Sequence, residues 1–225
     1  MSSIATRYEA VRRQIADAAD CADRSPDDVT VVAVTKTVGI GEIRSAIEAG
    51  MREFGENRAQ EFVGKQALFP QMRWHFIGTL QSNKVKDVVG RASLIHSIDS
   101  PRLLELVSRR ASEMHLVQPV LLQVNVSGES TKHGLEPDIV RDVLVEASSL
   151  SGVEVRGLMT MAPLGRPQDA RWVFRELREL ATSLGALRLN GVELDHLSMG
   201  MTNDFRIAVE EGATIVRIGR AIFGR

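Results

Sequence analysis

This chain has one cysteine, one tyrosine and almost no net charge, and each scarcity removes a class of protein. Cys21 alone cannot form an internal disulfide, which points to a reducing compartment. With no histidine nearby to activate it, Cys21 reads as an inert small residue near a helix end. The formal net charge of -1 leaves no bulk attraction to nucleic acid or to an anionic membrane. Any anion recognised here must be met by a local cluster, so the expected partner is a small molecule. No run of about 18 apolar residues is present, and the N-terminus reads as a charged helix rather than a signal peptide. A cytoplasmic location is therefore expected. Gly-rich or charged linkers are also lacking, and no composition shift marks a boundary. At 225 residues and 44% hydrophobic content, the chain is expected to form one domain over residues 1–225 with a full core.

What is present is a regular alternation. An opening amphipathic helix carries Ile4, Tyr8, Val11 and Ile15 at three- or four-residue spacing. Eight short apolar runs follow: Val31 to Thr35, Glu53 to Gly55, Trp74 to Ile77, Leu94 to Ile98, Val120 to Val126, Glu154 to Met159, Glu193 to Leu197 and Thr214 to Ile218. Between them lie amphipathic stretches such as Glu42 to Ala49, Arg58 to Leu68, Arg102 to Met114, Ile139 to Ser148, Gln168 to Leu184 and Phe205 to Glu211, with Gly50 and Gly212 placed to end helices. Alternating βα units imply a parallel sheet, and eight of them fit a closed (β/α)₈ barrel or an open doubly wound sheet. The missing linker favours the barrel.

In a barrel the chemistry sits just after the carboxyl ends of the strands. Those positions hold Lys36, Asn57, Gly78 with Gln81, Ser82 and Asn83, Asp99, Asn125, Met159 to Met161, Ser198 to Thr202 and Arg217 to Arg220. Small and amide residues dominate this set, as in a lined pocket, although turns favour them too. Lys36 ends an apolar strand. It either extends to solvent beside a carboxylate or serves as an amine for Schiff-base chemistry, which burial and a nearby cation would favour by lowering its pKa. Leu197 to Asp204 is expected to leave the seventh strand and open a helix, with Thr202 or Asn203 as its cap. Ser198 and the amides around Gly200 would then be available to an anion. Gly219 lets the last strand's backbone approach a ligand, and phosphate groups recur at the ends of strands seven and eight. His75, His96 and His196 stand at separations that form no ligand pair, so no metal is expected. Gly39-Ile40-Gly41 lacks the third glycine of a dinucleotide loop, Arg44 standing in its place.

With these segments in hand, the chain resembles the pyridoxal phosphate homeostasis protein family, single-domain relatives of the amino-terminal barrel of alanine racemase. The resemblance runs through Ala33-Val34-Thr35-Lys36, Phe54-Gly55-Glu56-Asn57, Trp74 to Lys84, His96-Ser97-Ile98-Asp99-Ser100, Gln123-Val124-Asn125-Val126, Gly157-Leu158-Met159, Leu197 to Met201 and Val216-Arg217-Ile218-Gly219. It implies a TIM-type barrel of the fold-type III class with an extra N-terminal helix, and pyridoxal 5'-phosphate as cofactor. It also implies that Lys36 holds the cofactor as a Schiff base, with Asn57 beside the ring. Ser198, Gly219 and Arg220 would lie at the phosphate, the last two chiefly through backbone amides, Met199 would belong to the cofactor-binding set, and Arg217 would face the pyridine nitrogen.

Two departures stand out. Family members often carry a second lysine and a proline soon after the cofactor lysine, whereas here Lys36 is followed by Thr37-Val38-Gly39. They also often carry a small or hydroxyl residue where Arg220 stands, so that arginine either makes a charge-assisted contact or points to solvent. An arginine at the pyridine nitrogen keeps that nitrogen unprotonated and weakens the ring as an electron sink. Racemases with this feature use a tyrosine from another domain as second base, but Tyr8 lies on the apolar stripe of the first helix. The expectation is a carrier that binds and delivers pyridoxal phosphate, affecting amino-acid and keto-acid balance indirectly. A slow amino-acid racemase is the alternative. Pyridoxal-phosphate-dependent apoenzymes are candidate recipients, a monomer is expected, and Lys132 is either a solvated lysine or a second amine that helps receive or release cofactor.

Overall fold

A computed structural model describes residues 3–129, 133–163 and 165–224. Eight parallel strands close on themselves in chain order: β1 (Thr30–Val34), β2 (Glu53–Glu56), β3 (Arg73–Phe76), β4 (Leu94–Ile98), β5 (Gln118–Gln123), β6 (Val153–Met159), β7 (Val192–Met201) and β8 (Ile215–Ile218). β8 pairs back onto β1 through Val31 with Val216 and Val32 with Arg217. The open-sheet alternative is thereby excluded. The outer layer comprises α2 (Ile40–Glu48), α3 (Ala59–Leu68), α4 (Val85–Val88), α5 (Pro101–Glu113), α6 (Val140–Ala147), α7 (Arg171–Gly185), α8 (Phe205–Glu210) and α9 (Arg220–Phe223). The additional helix, α1 (Ile4–Asp20), packs on α8, α9 and α2. Arg7 ties it to the Ile222 carbonyl at 2.6 Å, and Arg24, just beyond it, donates to the Val209 carbonyl at 2.7 Å.

Two strands end more than one residue away from the sequence reading. β7 does not stop at Leu197 but continues through Ser198 to Met201, its register to β8 shifting between Ser198 and Met201. Gly200 makes that path possible: its φ is +88°, and a Cβ there would lie 2.5 Å from the Cβ of Ala208 in α8. β5 ends at Gln123 rather than Val126, and Val124 instead bridges to Leu135.

The main core lies between strands and helices, where Phe54 meets Trp74 at 5.4 Å and Phe62 meets Phe76 edge-on at 5.7 Å. One buried ion pair interrupts it. Glu56, fully buried at the end of β2, accepts from Lys65 Nζ of α3 at 2.6 Å, and the same ammonium donates to the Thr35 carbonyl at 2.8 Å.

Strand alternation turns a second set of side chains into the barrel. Val32, Leu94, Leu121, Met159 and Ile215 form a small apolar cluster there. Barrel interiors are usually filled with layers of branched apolar residues, but here a polar file runs beside the cluster. Glu53 Oε2 lies 2.7 Å from His75 Nε2, His75 Nδ1 lies 2.8 Å from His96 Nε2, and His96 Nδ1 lies 2.9 Å from Ser198 Oγ. Arg217 completes it, donating from Nη1 to Ser198 Oγ at 2.6 Å and from Nη2 to the Thr160 carbonyl at 2.9 Å. Sequence separation hid the pairing of His75 with His96, because neighbouring strands of a parallel barrel bring distant residues side by side. Among the described residues no group of three or more His, Cys, Asp or Glu side chains is placed to hold an ion.

Burial, with His75, Arg217 and His196 nearby, holds the His96 imidazole well below its ordinary value of 6.5. The unfolded chain then binds a proton that the folded chain refuses, so stability falls as pH drops below the unfolded value. The loss is up to about 1.4 kcal/mol per pH unit for each such group. Urea denaturation of His96→Gln is expected to show a flatter pH slope below about pH 6.5 than the parent protein. An equal slope would contradict a neutral buried His96. Lys65→Met, which strands the Glu56 carboxylate, is expected to cost about 3–5 kcal/mol in the same assay, most of it recovered on adding Glu56→Gln. A loss below about 1 kcal/mol would show that the pair does not brace the fold.

Candidate cofactor site

A cavity of about 800 Å³ opens at the carboxyl ends of the strands. It is lined by Lys36 after β1, Asn57 after β2, Gly78 and Thr79 after β3, Gln123 at the end of β5, Met161 and Ala162 after β6, Met201 at the end of β7 with Thr202 to Asp204 after it, and Arg217, Gly219 and Arg220 from β8 onward. Of the seven residues assigned to a cofactor, five line it: Lys36, Asn57, Arg217, Gly219 and Arg220. Ser198 and Met199 do not. Ser198 is fully buried, its hydroxyl shared between His96 and Arg217, and Met199 is fully buried in the outer core. The cause is the extra length of β7, which carries both residues below the rim.

Lys36 stands exposed at the mouth rather than buried in it. Its backbone is nevertheless braced. Thr35, directly before it, donates its hydroxyl to the Gly55 carbonyl and to Glu56 Oε2, both at 3.1 Å, while Lys65 holds the Thr35 carbonyl. Thr37, directly after it, has φ +62° and donates its hydroxyl to the Lys36 carbonyl at 2.6 Å. A β-branched residue in the left-handed region is strained, and strain of this kind costs about 1–3 kcal/mol where the surroundings enforce it.

Asn57 is fixed from two sides. Its backbone N–H donates to Glu56 Oε1 at 2.8 Å, and Gly78 packs so tightly on it that a Cβ would lie 2.1 Å from the Asn57 carbonyl. Its side-chain Oδ1 is buried and finds no hydrogen-bond partner. Arg217 is 4% exposed, and burial lowers its guanidinium to about 10, which leaves it cationic at neutral pH. Asp204 works against that lowering. Burial in turn raises Asp204, opposed by the hydrogen bond it accepts from Met201 N at 2.6 Å. That bond removes one of the amides expected to greet an anion. Asp204, rather than Thr202 or Asn203, occupies the cap position of α8.

Arg220 is exposed and donates to Asn203 Oδ1 at 3.2 Å, across the rim rather than into solvent. Gly219 has an ordinary φ of -111°, and a Cβ there would sit 3.5 Å from Val34, so protein packing alone does not require glycine at this point. Arg58, Gln123, Arg166 and Asp204 also line the cavity and were not singled out from the sequence. Gln123 lay inside the run read as Val120 to Val126, and the earlier end of β5 brings it to the rim; Arg166 lies in a loop whose path the pattern did not fix. Gln81, Ser82, Asn83, Asp99 and Asn125 do not line the cavity. Lys132 lies outside the described residues.

Residues 7–225 match the family described as alanine racemase, N-terminal domain. A pyridoxal phosphate homeostasis protein of Aquifex aeolicus is 44% identical over 221 residues, spanning 97% of this chain and 96% of that one. Its namesake in Escherichia coli K12 is 37% identical over 230 residues, spanning 100% and 97%. PipY of Synechococcus elongatus, solved with PLP bound, superposes with a TM-score of 0.85 at 36% identity, covering 99% of this chain and all of that one. An alanine racemase of Clostridium difficile shares the fold alone, with a TM-score of 0.75 at 10% identity over 95% of this chain and 54% of the racemase. The chain belongs to the pyridoxal phosphate homeostasis protein family, built on the barrel of the alanine racemase N-terminal domain.

Proposed function

We propose that this one barrel, residues 1–225, binds pyridoxal 5'-phosphate and holds it reversibly as a Schiff base on Lys36, serving intracellular homeostasis of the cofactor. The observation that carries the reading is the cavity's composition: an accessible lysine amine, a buried guanidinium and the unpartnered Asn57 Oδ1 line one chamber. That set suits a ligand with an aldehyde for the amine, a ring nitrogen for the guanidinium and a hydroxyl for the amide oxygen. The names of the curated relatives, and the PLP-bound structure of PipY, support it. When bound, the cofactor supplies an electrophilic aldehyde and a conjugated ring.

Each residue then has a physical task. Lys36 is exposed and braced at its backbone, so its amine reaches the aldehyde and can release it to solvent. Asn57 is held beside the ring by Glu56 and Gly78. Arg217 can only donate hydrogen bonds, and it spends two of its five N–H groups on Ser198 and Thr160. Facing the ring nitrogen, it keeps that nitrogen unprotonated. Gly219 and Arg220 offer backbone amides to the phosphate, and Arg220 adds charge at the rim. Ser198 acts from behind Arg217, and Met199 packs the wall that supports it.

Carrying suits this arrangement better than catalysis. A donor-only partner weakens the ring as an electron sink. Tyr8 is the chain's one tyrosine and packs against the outer core from α1. We place the protein in the cytoplasm as a monomer without nucleic-acid or membrane partners, delivering cofactor to pyridoxal-phosphate-dependent apoenzymes. No helix among the described residues is long and apolar enough to cross a membrane.

Borohydride reduction of cofactor-saturated protein, followed by peptide mass analysis, is expected to mark Lys36, and Lys36→Ala to abolish the visible absorbance of bound cofactor. An unmodified Lys36 would overturn the covalent reading. Purified protein is expected to turn over no member of a panel of amino acids; sustained racemisation would establish an enzyme instead.

A further inference from the structure

The polar file inside the barrel has two ends of opposite character. At the cavity stands Arg217, which has N–H groups and no acceptor; at the start of β2 stands Glu53, whose carboxylate has acceptors and no donor. The three groups between them, Ser198, His96 and His75, can each both donate and accept. If both imidazoles are neutral and every contact is a hydrogen bond, those ends fix all of them. Arg217 donates to Ser198 Oγ, so the single hydroxyl proton points to His96 Nδ1. His96, holding its proton on Nε2, donates to His75 Nδ1. His75, holding its own on Nε2, donates to the Glu53 carboxylate.

We propose that Glu53, His75 and His96 are positioning residues of the cofactor site: a one-way chain of hydrogen bonds, anchored by the Glu53 carboxylate at the opposite mouth of the barrel, fixes the Ser198 hydroxyl and thereby orients Arg217 toward the ring of the bound cofactor. This role rests on the cofactor reading given above. Three features support it. The bonds are short, from 2.6 to 2.9 Å. His75, His96, Ser198 and Arg217 are each no more than 4% exposed, so water does not compete for the contacts. Arg217 has no carboxylate within ion-pair distance among the described residues, so the polarised file conveys the distant negative charge to it. Aligned hydrogen bonds strengthen one another in such surroundings.

The charged groups around the file are few. Arg73 pairs with the other oxygen of Glu53 at 3.2 Å, its side chain 68% exposed. His196 on β7, half-buried with Arg156 and Asp195 beside it, acts on His96 and His75 only through space. Asp204 acts on Arg217 from the cavity side. Arg73 meets Glu53 at the outer end as an ion pair, and Glu53 terminates the file. Glu53→Gln keeps the shape but adds an N–H that can donate to His75 Nε2, which permits the reversed direction.

Imidazole nitrogen chemical shifts of cofactor-free protein read the direction without any ligand. Both His75 and His96 are expected to carry their proton on Nε2, and Glu53→Gln is expected to abolish that single preference at His75. In cofactor-loaded protein, the pH midpoint of the visible band is expected to move to lower pH in Glu53→Gln, because a negative charge coupled to the site is gone. Ser198→Ala, which cuts the file at its cavity end, is expected to leave both histidine tautomers as they are, because Glu53 still sets them, and to move the visible band's midpoint to lower pH as Glu53→Gln does, while circular dichroism stays native. A proton on Nδ1 of either histidine in the parent protein would overturn the proposal, as would a Glu53→Gln variant with unchanged tautomers. A tautomer change without a shift of the visible band would sever the file from the cofactor site and overturn it too. Parent protein that develops no visible band with pyridoxal phosphate would overturn the cofactor reading, an outcome separable because the tautomers are read without cofactor.

Discussion

Arg217 puts a guanidinium inside a closed barrel, 4% exposed, and meets its needs with Ser198 Oγ and the Thr160 carbonyl rather than with a carboxylate. An ion taken out of water costs several kcal/mol unless hydrogen bonds and opposite charge offset it. The interior is organised around that requirement. Polar residues from β2, β3, β4 and β7 replace part of the apolar filling and run the length of the barrel to Glu53. β7 must therefore extend far enough to present Ser198 inward, which the bulge at Gly200 allows. A cation fixed this way can meet a ring nitrogen only as a donor, and that restricts the chemistry available to a bound cofactor.

The lysine side of the cavity follows a different rule. Lys36 is left in solvent, and precision is supplied to its backbone: Lys65 and Glu56 hold Thr35 before it, and Thr37 adopts a left-handed conformation after it. An accessible amine on a rigid support suits reversible capture of an aldehyde. A buried amine would retain its ligand longer, and one on a loose loop would meet it in many orientations. On the proposed reading the two halves of the cavity divide the work, Arg217 orienting the ring from within and Lys36 exchanging with solvent at the rim.

Much of this was legible because parallel barrels write themselves as short apolar runs at regular spacing. All eight strands and the extra N-terminal helix follow from that pattern, and Lys36, Asn57, Arg217, Gly219 and Arg220 follow from strand ends. Ser198 and Met199 were misplaced because a strand that bulges continues past the point where its apolar run breaks. The histidines were read as separate because spacing along the chain says nothing about neighbours across a parallel sheet: His75 and His96 are 21 residues apart and 2.8 Å in contact. Glu53 and Lys65 were unremarkable in sequence, since a charge at a strand start or on a helix face is ordinarily solvated. Only the closure of the barrel and the seating of α3 bury their partners.

The most direct measurement is a crystal structure of the protein soaked with pyridoxal phosphate. The expected result is continuous density from Lys36 Nζ to the cofactor, an Arg217 nitrogen within hydrogen-bond distance of the ring nitrogen, and the phosphate at the amides of Gly219 and Arg220. Cofactor bound elsewhere, or seated with its ring nitrogen turned away from Arg217, would contradict the reading.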